Sequence, residues 1–203
     1  KGKNTGGMGA YSPSRLINKE LEKKIIKKII EPTLKGLFET GISYKGFLYT
    51  GLMIVDNEPY LIEYNVRMGD PECQVILPRL KTDLFKIISY SLKNQIRKLK
   101  LKWEISKCMT IVLCSKGYPG NYKKGKIIRI KRISDRKNLF IIHAGTKLNN
   151  GDIYSTGGRV LNIVCKGQNF YQIRKKIIQL IKKINWKSGF YRKDIGWRVI
   201  NKL

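Results

Sequence analysis

The sequence predicts an α+β chain in two parts, a helix-and-hairpin lobe over residues 1–98 and a small β-rich α/β domain over 104–203. Three observations predict it. Apolar residues recur at helical spacing over 19–31 and 168–184. Short β-rich runs separated by turn clusters fill the stretch between Cys108 and Cys165. Between the two parts the composition shifts: residues 95–107 are basic and weakly patterned, which sets a boundary near Leu99–Glu104. With 203 residues, 42% of them hydrophobic and 28% charged, the chain is long enough and apolar enough to bury a core.

Taken in order, Asn4-Thr5-Gly6-Gly7-Met8-Gly9-Ala10-Tyr11-Ser12-Pro13 reads as a glycine-rich loop. Leu21, Ile25, Ile26, Ile29 and Ile30 then share one helical face, with Asn18 as N-cap and Lys23, Lys24, Lys27 and Lys28 opposite. Pro32 is expected to interrupt, and Leu34, Leu37 and Phe38 carry a short helical pattern on to Gly41. Gly46–Val55 reads as a buried strand, Asp56–Pro59 as a turn and Tyr60–Val66 as a second strand, together a hairpin. A loop follows at Arg67–Pro71. Residues 72–80 and 83–95 read as helices, with Leu84, Phe85, Ile87, Ile88 and Leu92 expected against a core. Strands are expected at Cys108–Cys114, Lys126–Ile130, Leu139–His143 and Arg159–Cys165, and Phe170, Ile173, Ile177, Leu180, Ile181 and Ile184 line the closing helix.

Lys+Arg is 42 against Asp+Glu 14, a formal net charge of +28. The basic residues are spread along the chain rather than blocked. Lys and Ile have A/T-rich codons, so mutational bias accounts for the surplus as readily as an anionic partner does. A basic nucleic-acid-binding module is the alternative reading. It calls for clustered Lys/Arg interleaved with exposed aromatics. Lys98–Trp103 and Lys123–Arg136 come nearest, and neither carries a known binding motif, so nucleic acid is not the expected partner. No run of 18 apolar residues exists, and no membrane partner is expected. The chain opens on polar Lys1-Gly2-Lys3-Asn4 rather than on Met or a signal peptide. A cytoplasmic location and a longer parent chain are the expectations. Cys73, Cys108, Cys114 and Cys165 form no Cys-x-x-Cys pair and His143 is the single histidine, so reduced thiols are expected rather than a zinc site.

Chemistry concentrates in Glu63-Tyr64-Asn65-Val66-Arg67-Met68-Gly69-Asp70-Pro71-Glu72. Alternate side chains of a strand share a face, which sets Glu63, Asn65 and Arg67 in a row. A carboxylate and an amide carbonyl are hard oxygen ligands suited to Mg²⁺, and an Arg beside them can pair with a phosphate. A solvent-facing polar strand edge is the plain alternative. Asp70 and Glu72 could bind an amine or cap the following helix. Gly6, Gly7 and Gly9 would let backbone N–H groups approach an anion, or serve only a turn. No Gly-Lys-Ser/Thr follows, so this is no P-loop. His143 has no nucleophile beside it in sequence, which sets aside hydrolase triads.

These segments, in this order, resemble the phosphoribosylamine–glycine ligases (glycinamide ribonucleotide synthetases) of the ATP-grasp superfamily. The likeness rests on Asn4–Pro13, Gly46-Phe47-Leu48-Tyr49, Gly51-Leu52-Met53, Glu63-Tyr64-Asn65 with Arg67, and Gly69-Asp70-Pro71-Glu72. It continues through Gly117-Tyr118-Pro119-Gly120, His143-Ala144-Gly145-Thr146, Gly157-Gly158-Arg159-Val160-Leu161 and Arg192–Arg198. The resemblance implies the C-terminal lobe of an ATP-grasp domain followed by the family's C-terminal β-rich domain. It implies ATP-dependent joining of glycine to 5-phosphoribosylamine through a glycyl phosphate, a step of purine biosynthesis. Glu63 and Asn65 would hold Mg²⁺ or Mn²⁺ against the ATP phosphates. Arg67 would neutralise the transferring phosphoryl group, Asp70 and Glu72 would face glycine and the amine, and Asn4, Gly6, Gly7, Met8 and Gly9 would line the substrate pocket. The family's chain is about twice as long. Its N-terminal domain and adenine-clamping lobe have no counterpart here, so the missing N-terminal half is an expected partner and the chain alone is expected to be inactive. A non-catalytic half of a split ligase is a further alternative. The strand before Glu63 carries no acid at Tyr49-Thr50-Gly51-Leu52, which leaves one metal ion rather than two as the expectation.

Overall fold

The computed structural model describes residues 7–131 and 137–200. Asn4, Gly6 and part of the basic stretch Lys123–Arg136 lie outside the described residues. The chain folds as two compact units, one of residues 1–13, 70–79 and 104–203, the other of 14–69 and 80–103. The chain therefore passes between units near Pro13, Gly69 and Arg79 as well as near the boundary expected at Leu99–Glu104.

The first unit is built on an antiparallel sheet. Its strands are β1 (Gly9–Ser12), β4 (Lys107–Ser115), β6 (Leu139–His143), β9 (Arg159–Gly167) and β11 (Gly189–Phe190), in the order β1-β4-β9-β6 with β11 also on β4. Gly9–Ser12 pairs with Cys108–Ile111, so part of the expected glycine-rich loop is an edge strand. Its backbone finds a ladder from a segment about a hundred residues away, which local composition does not report. Strand β4 is buried on both faces. Met109, Ile111 and Leu113 join Leu161, Ile163 and Cys165 beneath helix α5 (Phe170–Ile181). Cys108 faces Val75 and Val164 on the other side, while Val112 and Cys114 pack with Met8. Double burial makes the strand a continuous apolar run rather than an alternating one.

Helix α5 starts where expected chemistry starts it: the Asn169 carboxamide oxygen accepts from the N–H groups of Tyr171 and Gln172. Phe170, Ile173, Ile177, Leu180 and Ile181 are buried at its helical spacing, and Ile184 falls instead in the short strand β10 (Ile184–Asn185). A second sheet follows the order β10-β5-β8-β7, with β5 at Ile127–Ile130, β7 at Thr146–Asn149 and β8 at Asp152–Ser155. Strands β7 and β8 close on Asn150 and Gly151, both at positive φ, as a tight hairpin requires.

The second unit holds helices α1 (Lys19–Ile25) and α2 (Glu31–Glu39), a hairpin of β2 (Tyr49–Val55) and β3 (Glu58–Asn65), and helix α4 (Leu84–Leu92). The four-residue α3 (Cys73–Ile76) and α6 (Trp197–Ile200) belong to the first unit. Asn18 caps α1 by accepting from the Leu21 N–H at 2.8 Å. Pro32 does not interrupt. A π-helical turn over Ile26–Ile30 precedes it and Pro32 enters the first turn of α2, where a missing N–H is tolerated.

The expectation of a buried strand at Gly46–Val55 is corrected: the strand begins at Tyr49 and of its residues Gly51 alone is buried. Helix α4 likewise buries only Ile87, and Phe85 is 78% exposed. Periodicity reports which side chains share a face; it does not report whether another element lies upon that face. Among the described residues no helix is long and apolar enough to cross a membrane.

Candidate functional site

The first group of candidate residues rides on the hairpin. Asp56 and Asn57 turn the chain at positive φ, and a register shift between Gly51 and Leu52 then pairs Gly51 with Glu63 and Tyr49 with Asn65. A Cβ at Gly51 would lie 3.0 Å from the Glu63 side chain, so Glu63 lies closely over this position. Asn65 Nδ2 donates to Glu63 Oε1 at 3.2 Å, and Arg67 donates to Asn65 Oδ1 at 3.1 Å. The strand ends at Asn65, yet the row Glu63–Asn65–Arg67 continues through these hydrogen bonds. A second Arg67 N–H donates to the Met68 carbonyl at 2.9 Å, which steadies the guanidinium. All three side chains sit at the exposed end of the hairpin. Glu63 and Asn65 together offer a carboxylate and an amide oxygen. That donor set fits Mg²⁺, which usually takes one or two protein oxygens and keeps waters and substrate phosphates as its other ligands. Among the described residues no cluster of three or more His, Cys, Asp or Glu side chains could hold a metal without such help.

The hairpin is tied to the helix before it. Lys24 and Lys28 donate to the two Glu58 oxygens at 2.7 and 2.5 Å. The hydrogen bond from Lys24, then that from Lys28, holds the Glu58 carboxyl down at about 2.

The second group lies within the other unit. Gly7 sits at φ +46°, and a Cβ there would stand 2.2 Å from the Pro71 ring and 2.7 Å from the Asp70 carbonyl. Met8 is buried, and its carbonyl accepts from the Val112 N–H. Gly9 is in β1, where a Cβ would meet Ile195 at 2.6 Å. Asp70 accepts from Gln74 Nε2 at 2.8 Å on one oxygen and from Arg159 at 2.9 Å on the other. Glu72 starts helix α3 with its carbonyl, which accepts from Val75 and Ile76. No side-chain cap closes that helix, so Asp70 is held by side chains rather than spent on capping.

Arg159 stands in the Gly157–Leu161 motif, and the sequence assigns it no role. Its signal was the pair of glycines before it. His143 is exposed and its Nδ1 lies 3.1 Å from Thr146 Oγ1, a local contact across a tight turn. The thiols of Cys108 and Cys114 are pushed up to about 12 by burial, so they stay protonated and unreactive in the folded chain.

Two family models match in order. The phosphoribosylglycinamide synthetase ATP-grasp (A) domain matches residues 1–73, and the phosphoribosylglycinamide synthetase C domain matches 108–198. A phosphoribosylamine–glycine ligase of Brucella melitensis is 41% identical over 99% of this chain and 47% of its own length. A chloroplastic phosphoribosylamine–glycine ligase of Arabidopsis thaliana is 44% identical over 98% of this chain and 38% of its own. The crystal structure of the phosphoribosylamine–glycine ligase of Thermotoga maritima superposes with a TM-score of 0.79 at 34% identity, covering 96% of this chain and 47% of that one. The chain thus spans about half the length, or less, of the relatives it matches.

Proposed function

The chain belongs to the phosphoribosylglycinamide synthetase family, with ATP-grasp and C-domain segments in order, and on that premise we propose that it contributes to ATP-dependent ligation of glycine to 5-phosphoribosylamine. The single observation that carries this reading is the hydrogen-bonded row Glu63–Asn65–Arg67, set inside the segment that matches the ATP-grasp model. The domain division follows the same premise: residues 1–98 as the grasp lobe and 104–203 as the C-terminal domain, supported by the matched ranges 1–73 and 108–198.

In the proposed reaction the glycine carboxylate attacks the γ-phosphorus of ATP, ADP leaves, and a glycyl phosphate forms. The amine of phosphoribosylamine then attacks the acyl carbon, phosphate departs, and the amine loses a proton. Glu63 and Asn65 would hold Mg²⁺, or Mn²⁺, beside the ATP phosphates. The bound ion would supply positive charge against the ATP oxygens. Arg67, steadied by Asn65 and the Met68 carbonyl, offsets the charge on the phosphoryl group in flight. Asp70 and Glu72 receive the cationic or amine ends of the substrates. Asn4, Gly6, Gly7, Met8 and Gly9 line the substrate pocket; since Met8 is buried, its contribution is through the backbone. The portion of the family ligases that this chain does not span is the partner, and it supplies the adenine clamp. The cytoplasm suits the chain, whose four cysteines form no disulfide.

The test is ADP release with glycine, Mg²⁺ and phosphoribosylamine generated in situ, for this chain alone and together with the remaining portion of a family ligase. Activity only in the mixture supports the reading; silence in both counts against it. In the active mixture Glu63→Ala should lower glycine-dependent ADP formation at least a hundredfold, because the metal site loses its one anionic ligand. Full activity in that variant would remove the metal assignment.

A further inference from the structure

Three motifs of the second half, Gly117–Gly120, His143–Thr146 and Gly157–Leu161, have no role in the reaction as proposed. In space they meet around one residue. The Gly158 carbonyl accepts from the Ser115 N–H at 2.8 Å, and the Gly157 carbonyl accepts from Ser115 Oγ at 2.8 Å. Gly145 donates its N–H to the Arg159 carbonyl at 3.1 Å and accepts from Thr156 at 2.7 Å. These backbones approach so closely that side chains are excluded. A Cβ on Gly145 would come within 2.7 Å of the Gly157 Cα, and one on Gly158 within 2.4 Å of the Tyr118 ring. The β4–β9 register also shifts here, between Leu113 and Cys114, so that Cys114 pairs with Arg159. A bulge of this kind re-aims the side chain beside it.

The side chain so aimed is a clamp. One Arg159 nitrogen donates to the Asp70 carbonyl at 2.6 Å and to the Gly7 carbonyl at 3.3 Å, and the other donates to Asp70 Oδ2 at 2.9 Å. A single planar fork thereby joins the glycine-rich entry segment to the Asp70–Pro71 turn. Lys could match the charge but not these several directions at once. With Gln74 on Oδ1, the Asp70 carboxylate has a donor on each oxygen and still keeps a lone pair on each for an incoming N–H. The pair is not shut away: the Asp70 side chain is 43% exposed and that of Arg159 26%.

We propose that Arg159 is a positioning residue for substrate handling, fixing the pose in which the Asp70 carboxylate meets the substrate amine. The proposal rests on the ligase reading of Asp70 given above.

The experiment uses the chain together with the remaining portion of a family ligase, and compares Arg159→Lys with Arg79→Lys. Arg79 is a control of like architecture in the same unit: it donates to the Ser106 and Glu104 carbonyls and to Ser12 Oγ, away from Asp70. Arg159→Lys should speed amide hydrogen exchange at residues 7–9 and 72–74 and raise KM for glycine or for phosphoribosylamine about tenfold at nearly constant kcat. Arg79→Lys should lower thermal stability with both KM values unchanged. Asp70→Asn combined with Arg159→Lys should cost no more than Asp70→Asn alone, since the clamp acts through that carboxylate. Unchanged exchange, additive double-variant effects, or KM shifts no larger than those of Arg79→Lys would each overturn the proposal. If the unsubstituted mixture makes no glycine-dependent ADP, the ligase reading fails, and faster exchange in Arg159→Lys would then leave Arg159 a structural clamp only.

Discussion

Glu58 shows how one carboxylate ties a hairpin to a helix. Lys24 in α1 and Lys28 in the π-helical turn after it lie on the lysine stripe that the sequence sets opposite the apolar face, yet both reach the first residue of β3. The carboxyl stands at about 2 against an ordinary value of 4.5, so its folded form is depressed. The stabilising contribution is therefore complete above about pH 4.5 and is lost as pH falls from there through 2. The groups are exposed, which keeps the effect small. In denaturant titrations the wild-type chain should be more stable than Glu58→Gln at pH 6, and the difference should shrink steadily as pH falls from about 4.5 towards 2. A pH-independent difference would remove the ion pairs as its cause. The row Glu63–Asn65–Arg67 is the counterpart at the other end of β3, where strand alternation and two hydrogen bonds bring three separate residues into one line.

Elements differ in how much of their environment is local. Helix α5 was legible in its packed face: the 3.6-residue period selects Phe170, Ile173, Ile177, Leu180 and Ile181, and these are the side chains that pack, while the Asn169 cap and the end before Ile184 came from the structure. Ile177 lies at the centre of that face and is fully buried. Ile177→Ala should cost about 2–5 kcal/mol by lost burial and cavity formation, read from thermal or denaturant unfolding. Phe85 on α4 shares a helical pattern of equal clarity and is mostly exposed, so Phe85→Ala should cost far less in the same assay. Strand β1 is the opposite case. Its first residue, Gly9, carries no β-propensity, and it is a strand because Cys108–Ile111 offers an edge to pair with. Gly7 and Gly9 are held to glycine by close approach of Pro71 and Ile195, which are distant in sequence.

For the molecule as a whole, the net charge of +28 dominates the composition and bears least on the candidate site. The groups that would handle substrate are few and placed: Glu63, Asn65 and Arg67 in one unit, Asp70 and Arg159 in the other. A spread cationic surface attracts any polyanion, with an affinity that collapses as salt rises. DNA binding by this chain should therefore be non-specific and fall steeply, by roughly a thousandfold or more, between 50 and 200 mM salt. Sequence-selective binding that survives 200 mM would favour the nucleic-acid reading over the ligase.

The sequence alone determined the α+β class, the Asn18-capped helix α1, the buried face of α5, the hairpin of β2 and β3 and the shared face of Glu63 and Asn65. Each depends on sterics or periodicity within a few residues, where the chain has little freedom to choose. Tertiary structure decided which apolar faces are covered, turned a glycine-rich loop into an edge strand, and joined Arg159 to Asp70 across 89 residues. Such partnerships are set by which distant segments share a sheet edge or bulge, and local pattern carries no record of that choice.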